Sequence, residues 1–269
     1  MLKESDYIEK IINLTRRAGS KTLKYYESDY SIEAKKDDSP VTEADIASEE
    51  ILIDGLRDTD PGIIAEEAGL IPGNSDDRYW IVDPLDGTQD FIDKTGEFSI
   101  MVGLLVEGRP TMGIVFAPAT DKLWYAAEGE GAYLIDKGEE TSIQVAGKAK
   151  LEDYVLIASR NHFSSRDEAI AEKLGVDDIT RMGSLGIKFC TIAEGGADLV
   201  YYTTDRLGIW DCCAPQIILE EAGGEAFDLN GERLKYNLDL KRMKNGIVGI
   251  GGPAGSEVVE ILEKSIGGG

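Results

Sequence analysis

Residues 80–88 most restrict how this chain can fold, because an apolar run there ends abruptly in a turn rich in carboxylates. Trp80-Ile81-Val82 predicts a buried strand, and Asp83-Pro84-Leu85-Asp86-Gly87-Thr88 follows directly. Pro84 has no N–H and a fixed φ, so the strand should stop near it. Gly87 tolerates backbone angles that other residues avoid and allows a ligand to approach closely. The turn suits Mg²⁺, which favours carboxylate ligands, but it could equally be an acidic cap on the next helix.

The charge balance excludes some classes of partner. The 269 residues include 51 acidic and 28 basic ones, a net charge of −23. We therefore expect no binding to nucleic acid or to anionic membranes, since both need basic surface. No apolar run approaches the roughly 20 residues of a membrane span, and the polar N-terminus is unlike a secretory signal. Three cysteines form no disulfide framework, so a cytoplasmic location is expected.

The first half of the chain predicts two helices followed by a meandering antiparallel sheet. Apolar spacing indicates helices over 5–27 and 42–57, the second with Thr42 as its N-cap. Gly108-Arg109-Pro110 predicts a hairpin turn. Short apolar runs predict strands at 62–65, 79–83, 98–106, 110–117, 123–127 and 131–135.

The second half alternates strand-like and helix-like runs, which is the pattern of an α/β unit. Strands are predicted at 154–159, 198–202, 225–228 and 247–250, and helices at 165–174, 184–194, 211–222 and 254–265. We therefore divide the chain into an N-terminal α+β metal-binding part, 1–145, and a C-terminal α/β substrate-binding part, 146–269. The cleft between them is the expected site, because ligand pockets favour domain interfaces.

Other acidic residues stand at the ends of apolar runs or at helix starts. They are Asp45, the pair Glu66-Glu67, and Asp211. Taken singly, each has a plain structural explanation: a solvated helix face, a surface turn, or a partner of a helix dipole. Together with Asp83 and Asp86 they supply the carboxylates that a site for several Mg²⁺ ions needs.

The strings PVTEAD, EE, WIVDPLDGTQDFI and WD…EAGG, in this order, cover nearly the whole chain to about residue 236. Their combination resembles the Mg²⁺-dependent, lithium-sensitive phosphatase superfamily of inositol monophosphatases and fructose-1,6-bisphosphatases. That resemblance implies a layered α-β-α-β-α sandwich with an antiparallel-rich N-terminal sheet and a smaller C-terminal α/β part.

Within this superfamily the chain is most similar to the 3′(2′),5′-bisphosphate nucleotidases, which remove the 3′-phosphate of 3′-phosphoadenosine 5′-phosphate. The similarity lies in DDSPVTEADIAS (37–48), RYWIVDPLDGTQDFI (78–92), GEFSIMVGLL (96–105), ASRNH (158–162) and GSLGIKFCTIAEGGADL (183–199). Thr204 stands where inositol monophosphatases carry an acidic residue, although Asp205 is adjacent. Cys212-Cys213-Ala214-Pro215 replaces the small Ala-Ala-Gly stretch usual in the nucleotidases.

The resemblance implies a role for each site residue. Two or three Mg²⁺ ions would be held by Glu66, Asp83, the Leu85 carbonyl, Asp86 and Asp211. Asp45 and Thr88 would orient the attacking water, with Glu66 as a competing base and Glu67 supporting the ligands. The phosphate would meet the amides of Gly87 and Thr88, and Asp211 would also face the substrate.

The nucleotide side of the site is implied with less detail. Ser159 and Arg160 would lie near the nucleotide, and Lys188 would meet its second phosphate. The single histidine, His162, fits a loop residue with a structural hydrogen bond better than a catalytic role. Cys190 and the Cys212-Cys213 pair fit small buried helix residues, with a redox role as the alternative.

Three functions remain in competition. The first is a phosphatase acting on 3′-phosphoadenosine 5′-phosphate. The second is a phosphatase of the same superfamily acting on inositol monophosphate or fructose-1,6-bisphosphate. The third is an acidic metal-binding protein without turnover, against which the pairing of Asp45 with Thr88 speaks. Family relatives include monomers and dimers, so a homodimer is possible.

Overall fold

The computed structural model describes residues 5–28, 31–34 and 40–266. Asp37, Asp38 and Ser39, which begin one of the nucleotidase-like strings, lie outside these residues. The helices of the described part are α1 (Ser5–Tyr26), α2 (Glu43–Leu56), α3 (Thr88–Ile92), α4 (Ser165–Leu174), α5 (Leu185–Ala193), α6 (Trp210–Glu221) and α7 (Gly255–Ile266).

The strands form one short hairpin and two larger sheets. The hairpin contains β1 (Ile32–Ala34) and β2 (Pro40–Thr42). The eight-stranded sheet contains β3 (Gly62–Ala65), β4 (Gly69–Ile71), β5 (Arg78–Asp86), β6 (Ser99–Val106), β7 (Arg109–Ala117), β8 (Lys122–Ala127), β9 (Gly131–Asp136) and β10 (Glu139–Ile143). The five-stranded sheet contains β11 (Val155–Ser159), β12 (Asp178–Met182), β13 (Leu199–Tyr202), β14 (Glu225–Phe227) and β15 (Ile247–Ile250).

The eight-stranded sheet is the predicted meander with one exception. Its order is β10-β9-β8-β7-β6-β5-β3-β4. β3 runs parallel to β5 because the chain first turns back antiparallel through β4 at the outer edge and then enters β5 on the other side of β3. The hairpin between β6 and β7 turns at Glu107 and Gly108, both with positive φ, rather than at Gly108-Arg109-Pro110. Two positive φ values match the right-handed twist of the flanking strands, so Arg109 and Pro110 already belong to β7.

Alternate residues of this sheet face two different cores, as the period of two in a strand requires. On one face, α1 and α2 pack against side chains such as Trp80, Val82, Val102 and Ile114. On the other face, Ile81, Met101 and Val115 pack against α5 and α6. The sheet is therefore covered by helices on both faces.

Helix α6 lies unusually close to the sheet, because a pair of glycines makes room for it. Gly103 of β6 is paired with Gly113 of β7. A Cβ at Gly103 would lie 2.6 Å from Cys213 Sγ, and one at Gly113 would lie 2.3 Å from the Ala214 carbonyl oxygen. Both substitutions would force α6 away from the sheet, so the small residues on the two sides depend on each other.

The five-stranded sheet covers the other side of α5 and α6, and its outer face carries α4 and α7. Ile157, Val200 and Ile247 point inward to the core with α5 and α6, while Leu156, Leu199 and Val248 point outward. The layers are thus helix, sheet, helix, sheet, helix, which confirms the predicted sandwich. The first large sheet ends at Ile143 and the second begins at Val155, and the division at residue 145 stays a prediction.

Among the described residues, none of the helices combines the length and the apolar character that crossing a bilayer demands.

Candidate active site

The acidic residues meet because two parallel strands end at the same edge of the eight-stranded sheet. Ala65 of β3 pairs in register with Val82 of β5, so Glu66 and Asp83 lie side by side. Glu66 follows the end of β3, whereas β5 continues through Pro84 to Asp86 and Asp83 still pairs with Met101 of β6, so the expectation that the strand stops near Pro84 is wrong. The Glu66 amide donates to the Val82 carbonyl at 3.2 Å, which continues the ladder by one step. The parallel pairing that the sequence did not predict is therefore what places Glu66 at the site.

Three carboxylates form a compact group at this edge. Asp83, Asp86 and Asp211 each offer an oxygen, and these oxygens lie within 4.8 Å of one another. Asp211 comes from the first turn of α6, where it accepts the Gly208 amide at 2.6 Å. Burial raises the pKa of Asp83 well above the usual carboxyl range, and the charges of Glu66, Asp86 and Asp211 raise it further. Asp83 is buried, whereas Asp86 and Asp211 are partly exposed, so the group is open to an ion on one side. A cluster of carboxylate oxygens of this kind fits a hard divalent cation.

Asp86 is fixed by the start of α5. Its Oδ2 accepts hydrogen bonds from the Ser184 hydroxyl, from the Gly186 amide at 2.8 Å and from the Ser99 hydroxyl at 3.4 Å. Ser184 is the N-cap of α5, so one helix start orients one carboxylate. This role of Ser184 was not predicted from the sequence, although a serine directly before an apolar helical run is an N-cap signal.

The Asp45 and Thr88 pairing is present in the structure. The Thr88 hydroxyl lies 3.3 Å from Asp45 Oδ1 and 3.1 Å from the Leu85 carbonyl oxygen. Asp45 is fully buried, and its Oδ2 accepts from the amide and hydroxyl of Thr42, the predicted N-cap of α2. The capping box therefore holds Asp45 with one oxygen directed at Thr88.

Gly87 occupies a position that requires glycine. Its φ is 87°, in the left-handed region that side chains disfavour. A Cβ there would lie 2.9 Å from the Glu97 carbonyl oxygen and 3.3 Å from the Ser184 amide nitrogen. The turn that carries Asp86 and Thr88 therefore packs directly against the segments at residues 97 and 184.

The turn between β3 and β4 carries Glu66 and Glu67. Glu67 is partly exposed, and its amide donates to the buried Glu49 carboxylate of α2 at 2.8 Å. This role of Glu49 was not predicted from the sequence. The available signal was its position four residues after Asp45, on the same face of α2.

Arg160 is engaged by two carboxylates of its own chain. Its Nε lies 3.1 Å from Asp90 Oδ1, and a terminal nitrogen lies 2.6 Å from Glu97 Oε2. Ser159 ends β11, and its hydroxyl accepts the amide of His162 at 3.2 Å. These contacts join the end of β11 to α3, which contains Asp90, and to Glu97 in the segment that follows α3.

Lys188 is the buried cation of this region. Its ammonium donates to the Gly183 carbonyl and, at 3.1 Å, to the Ser184 carbonyl. Burial lowers the pKa of Lys188 to about 8, against the opposing influence of Asp86 and other nearby carboxylates. Partial burial lowers the pKa of His162, and the positive charges of Lys188 and Arg206 lower it further. His162 and Arg206, which the sequence analysis left out of the site, thus belong to the same basic surroundings.

The cysteines have the structural role that the sequence favoured. Cys190, Cys212 and Cys213 are buried free thiols. The Cys213 sulfur packs against the backbone at Gly103, where a side chain would collide with it.

The sequence of residues 3–259 matches the profile of the inositol monophosphatase family. The 3′(2′),5′-bisphosphate nucleotidase CysQ of Salmonella typhimurium is 36% identical over 235 residues, which cover 85% of this chain and 93% of that protein. Nus factor SuhB of Pasteurella multocida is 34% identical over 230 residues, with 82% and 84% covered. The solved structure of Thermotoga maritima IMPase superposes with a TM-score of 0.82 at 28% identity, covering 97% of this chain and 98% of that one.

The five-layer sandwich and its carboxylate edge define a phosphatase, a hydrolase of phosphate esters. The chain belongs to the inositol monophosphatase family.

Proposed function

We propose that the enzyme hydrolyses the 3′-phosphate of 3′-phosphoadenosine 5′-phosphate to give AMP and phosphate. The similarity to CysQ proteins over 85% of the chain carries this assignment. The proposed setting is sulfur metabolism in the cytoplasm.

We propose that the cofactor is Mg²⁺, bound as two or three ions. Glu66, Asp83 and the Leu85 carbonyl would hold one ion, and Asp83, Asp86 and Asp211 a second, with Glu66 shared by a weaker third. When bound, such ions supply charge stabilisation for phosphoryl transfer and a nucleophilic water. The ligands would also explain sensitivity to Li⁺, since the resemblance implies that the second position accepts it.

The remaining residues would position the reactants. Asp45 accepts a hydrogen bond from the Thr88 hydroxyl. The Thr88 oxygen can then accept a hydrogen bond from the attacking water. Asp45 would then take up the proton through Thr88, with Glu66 as the competing base. The amides of Gly87 and Thr88 would contact the transferred phosphate, and Asp211 would contact the leaving group. Positioning and charge stabilisation of this kind suffice for phosphoryl transfer.

The nucleotide would lie against the basic side of the site. Lys188 is assigned to the 5′-phosphate, with Ser159 and Arg160 near the nucleoside. Arg160 is paired with Asp90 and Glu97, and Lys188 is fully buried with its ammonium bonded to the Gly183 and Ser184 carbonyls. Each cation would therefore have to exchange a protein partner for the substrate. Glu67 supports the metal ligands from the hairpin turn.

The test is phosphate release in Mg²⁺ from 3′-phosphoadenosine 5′-phosphate, inositol-1-phosphate and fructose-1,6-bisphosphate at equal concentrations. We expect the nucleotide to have the highest kcat/KM, with activity lost in a chelator, restored by Mg²⁺ and inhibited by Li⁺. Preference for either sugar phosphate would overturn the substrate assignment. Activity that persists in a chelator would overturn the metal-dependent mechanism. Asp45→Asn should abolish turnover while retaining metal binding.

A further inference from the structure

The buried face of α2 changes character along its length. Asp45, Ser48 and Glu49 are buried in its first turns, whereas Leu52, Ile53 and Leu56 are buried further on. The apolar residues pack in the core beneath α1. The polar residues lie at positions i, i+3 and i+4, which form one stripe on a helix. Buried polar side chains in such a stripe need partners, and their partners identify what this part of α2 does.

Glu49 holds the tip of the hairpin that carries Glu66. The carboxylate is 4% exposed, and it accepts the Glu67 amide at 2.8 Å on one oxygen and the Ala68 amide at 2.9 Å on the other. These amides lie in the turn between β3 and β4, directly after Glu66. Both oxygens of one side chain therefore fix the peptide units that follow a proposed metal ligand.

Ser48 holds the other ligand-bearing segment. Its hydroxyl donates to the Pro84 carbonyl oxygen at 2.8 Å. Pro84 lies between Asp83 and Asp86, where the pairing of β5 with β6 shifts register. Backbone at such an irregularity lacks the regular ladder bonds, so the Ser48 contact restrains a segment that the sheet alone does not.

We propose that Ser48 and Glu49 are positioning residues that set the separation of Glu66 from Asp83 and Asp86. Adjacent residues of one helix have a fixed spacing. Ser48 is bonded to the segment that carries Asp83 and Asp86, and Glu49 is bonded to the turn that carries Glu66. The carboxylates of Asp83 and Asp86 lie close together at this edge, and Glu66 follows the strand that pairs with β5. Like charges at such short range repel one another, so a restraint from outside the two segments helps the site to remain compact before ions bind. Residues that orient metal ligands typically change metal affinity when they are replaced. This inference rests on the proposed metal ligation and does not depend on the identity of the substrate.

The test compares Glu49→Gln and Ser48→Ala with the control Glu50→Gln, since Glu50 is the exposed neighbour on the same helix. Mg²⁺ and Mn²⁺ binding is measured by titration calorimetry on the full chain, and Tm is measured in EDTA. An amide at position 49 presents an NH₂ group to one of the two turn amides. We expect Glu49→Gln to weaken Mg²⁺ binding about 10-fold or more, Ser48→Ala to weaken it less, and Glu50→Gln to leave it unchanged.

A kinetic measurement separates positioning from simple support of the fold. The Mg²⁺ concentration for half-maximal turnover should rise in Glu49→Gln, while KM for the substrate at saturating Mg²⁺ stays near that of the wild type. A variant with a lower Tm but wild-type Mg²⁺ affinity would overturn the proposal. If Glu49→Gln does not fold, Ser48→Ala decides the matter, and unchanged Mg²⁺ affinity there would overturn it.

The failure of this inference is distinguishable from failure of the proposed function. Wild-type protein that binds Mg²⁺ but does not hydrolyse the nucleotide would overturn the substrate assignment and leave the positioning role testable by calorimetry. Wild-type protein that binds no Mg²⁺ would overturn both the metal site and the positioning role.

Discussion

The two sides of the candidate site handle charge in opposite ways. On the carboxylate side, Asp83 is buried beside Glu66, Asp86 and Asp211, and their charges add to one another. On the basic side, Arg160 is already paired with two carboxylates of its own chain. The first side carries an excess of negative charge that the proposed cations would balance, whereas the charge of Arg160 on the second side is already balanced within the protein. Substitutions that remove metal ligands should therefore have the largest effects on activity. Substrate selection should depend on the few hydrogen-bond donors that remain on the basic side.

The largest effect should follow from removing the central carboxylate. Asp83→Asn takes away a ligand proposed for both ions, so we expect phosphate release to fall below detection. In EDTA the same variant should be more stable than the wild type, because an amide removes a buried charge from among like charges. A gain of about 1 kcal/mol would appear as roughly 2–4 °C in Tm. A lower calorimetric Tm for Asp83→Asn than for the wild type, both measured in EDTA, would contradict the electrostatic account.

The stability difference between Asp83→Asn and the wild type in EDTA should depend on pH. Because the pKa of Asp83 is raised in the fold, the folded state holds this proton more firmly than the unfolded chain does. The resulting stability is present below the usual carboxyl pKa of about 3.9 and is lost as pH rises through the raised value. The difference in Tm in EDTA between Asp83→Asn and the wild type should therefore increase with pH. A constant difference would show that Asp83 does not titrate as described.

The next largest effect tests the pairing of Thr88 with Asp45, which an enzyme needs and a metal-binding protein without turnover does not. Thr88→Val removes the hydroxyl that Asp45 accepts, and we expect kcat to fall by roughly 10²–10⁴-fold, the usual contribution of proton transfer. Thr88→Ser keeps a hydroxyl and should retain most of the activity. Mg²⁺ affinity should remain close to that of the wild type in both variants. Near-normal kcat in Thr88→Val would exclude Thr88 from water activation.

A smaller effect should follow on the basic side. Lys188→Met removes the buried cation and keeps an apolar side chain of similar length. A hydrogen bond to a charged group is worth about 1.5–3 kcal/mol, so KM for 3′-phosphoadenosine 5′-phosphate should rise roughly 10- to 100-fold. KM for a monophosphate substrate should change little. Equal increases for both substrates would show that Lys188 shapes the site rather than recognising a second phosphate.

The smallest effect on catalysis is expected at Arg160. Arg160→Gln breaks the pairs with Asp90 and Glu97, which should lower stability by about 1 kcal/mol or less, as is usual for partly exposed pairs. KM for the nucleotide should change much less than in Lys188→Met. If Arg160→Gln raises KM as strongly, the two sides of the site differ less than we describe, and Arg160 contacts the nucleotide directly.

The sequence predicted what is local in this molecule. The strand before residue 83, the turn at Gly87 and Thr42 as the N-cap of α2 follow from a few neighbouring residues. The bond from the Thr42 amide back to Asp45, which completes the capping box, was not predicted. Contacts between distant segments were missed. Glu49 meets the turn amides of residues 67 and 68, and Ser184 meets Asp86 98 residues away.

The parallel arrangement of β3 and β5 was missed for the same reason. Both strands read as apolar runs, and apolar periodicity does not specify which strands become neighbours or in which direction they run. Only the folded chain shows that Glu66 and Asp83 lie side by side. Similarly, the pairing of Gly103 with Gly113 beneath Cys213 depends on strand register and on the place of α6, neither of which a single run of residues encodes.

The most direct test of the account is a crystal of the wild-type enzyme soaked in Mn²⁺ and measured at the manganese absorption edge. We predict anomalous peaks within coordination distance of Asp83, Asp86 and Asp211, with Glu66 contacting an ion that Asp83 also binds. Occupied sites elsewhere, or none at the carboxylate group at saturating Mn²⁺, would contradict the claim that this edge of the sheet is the metal centre.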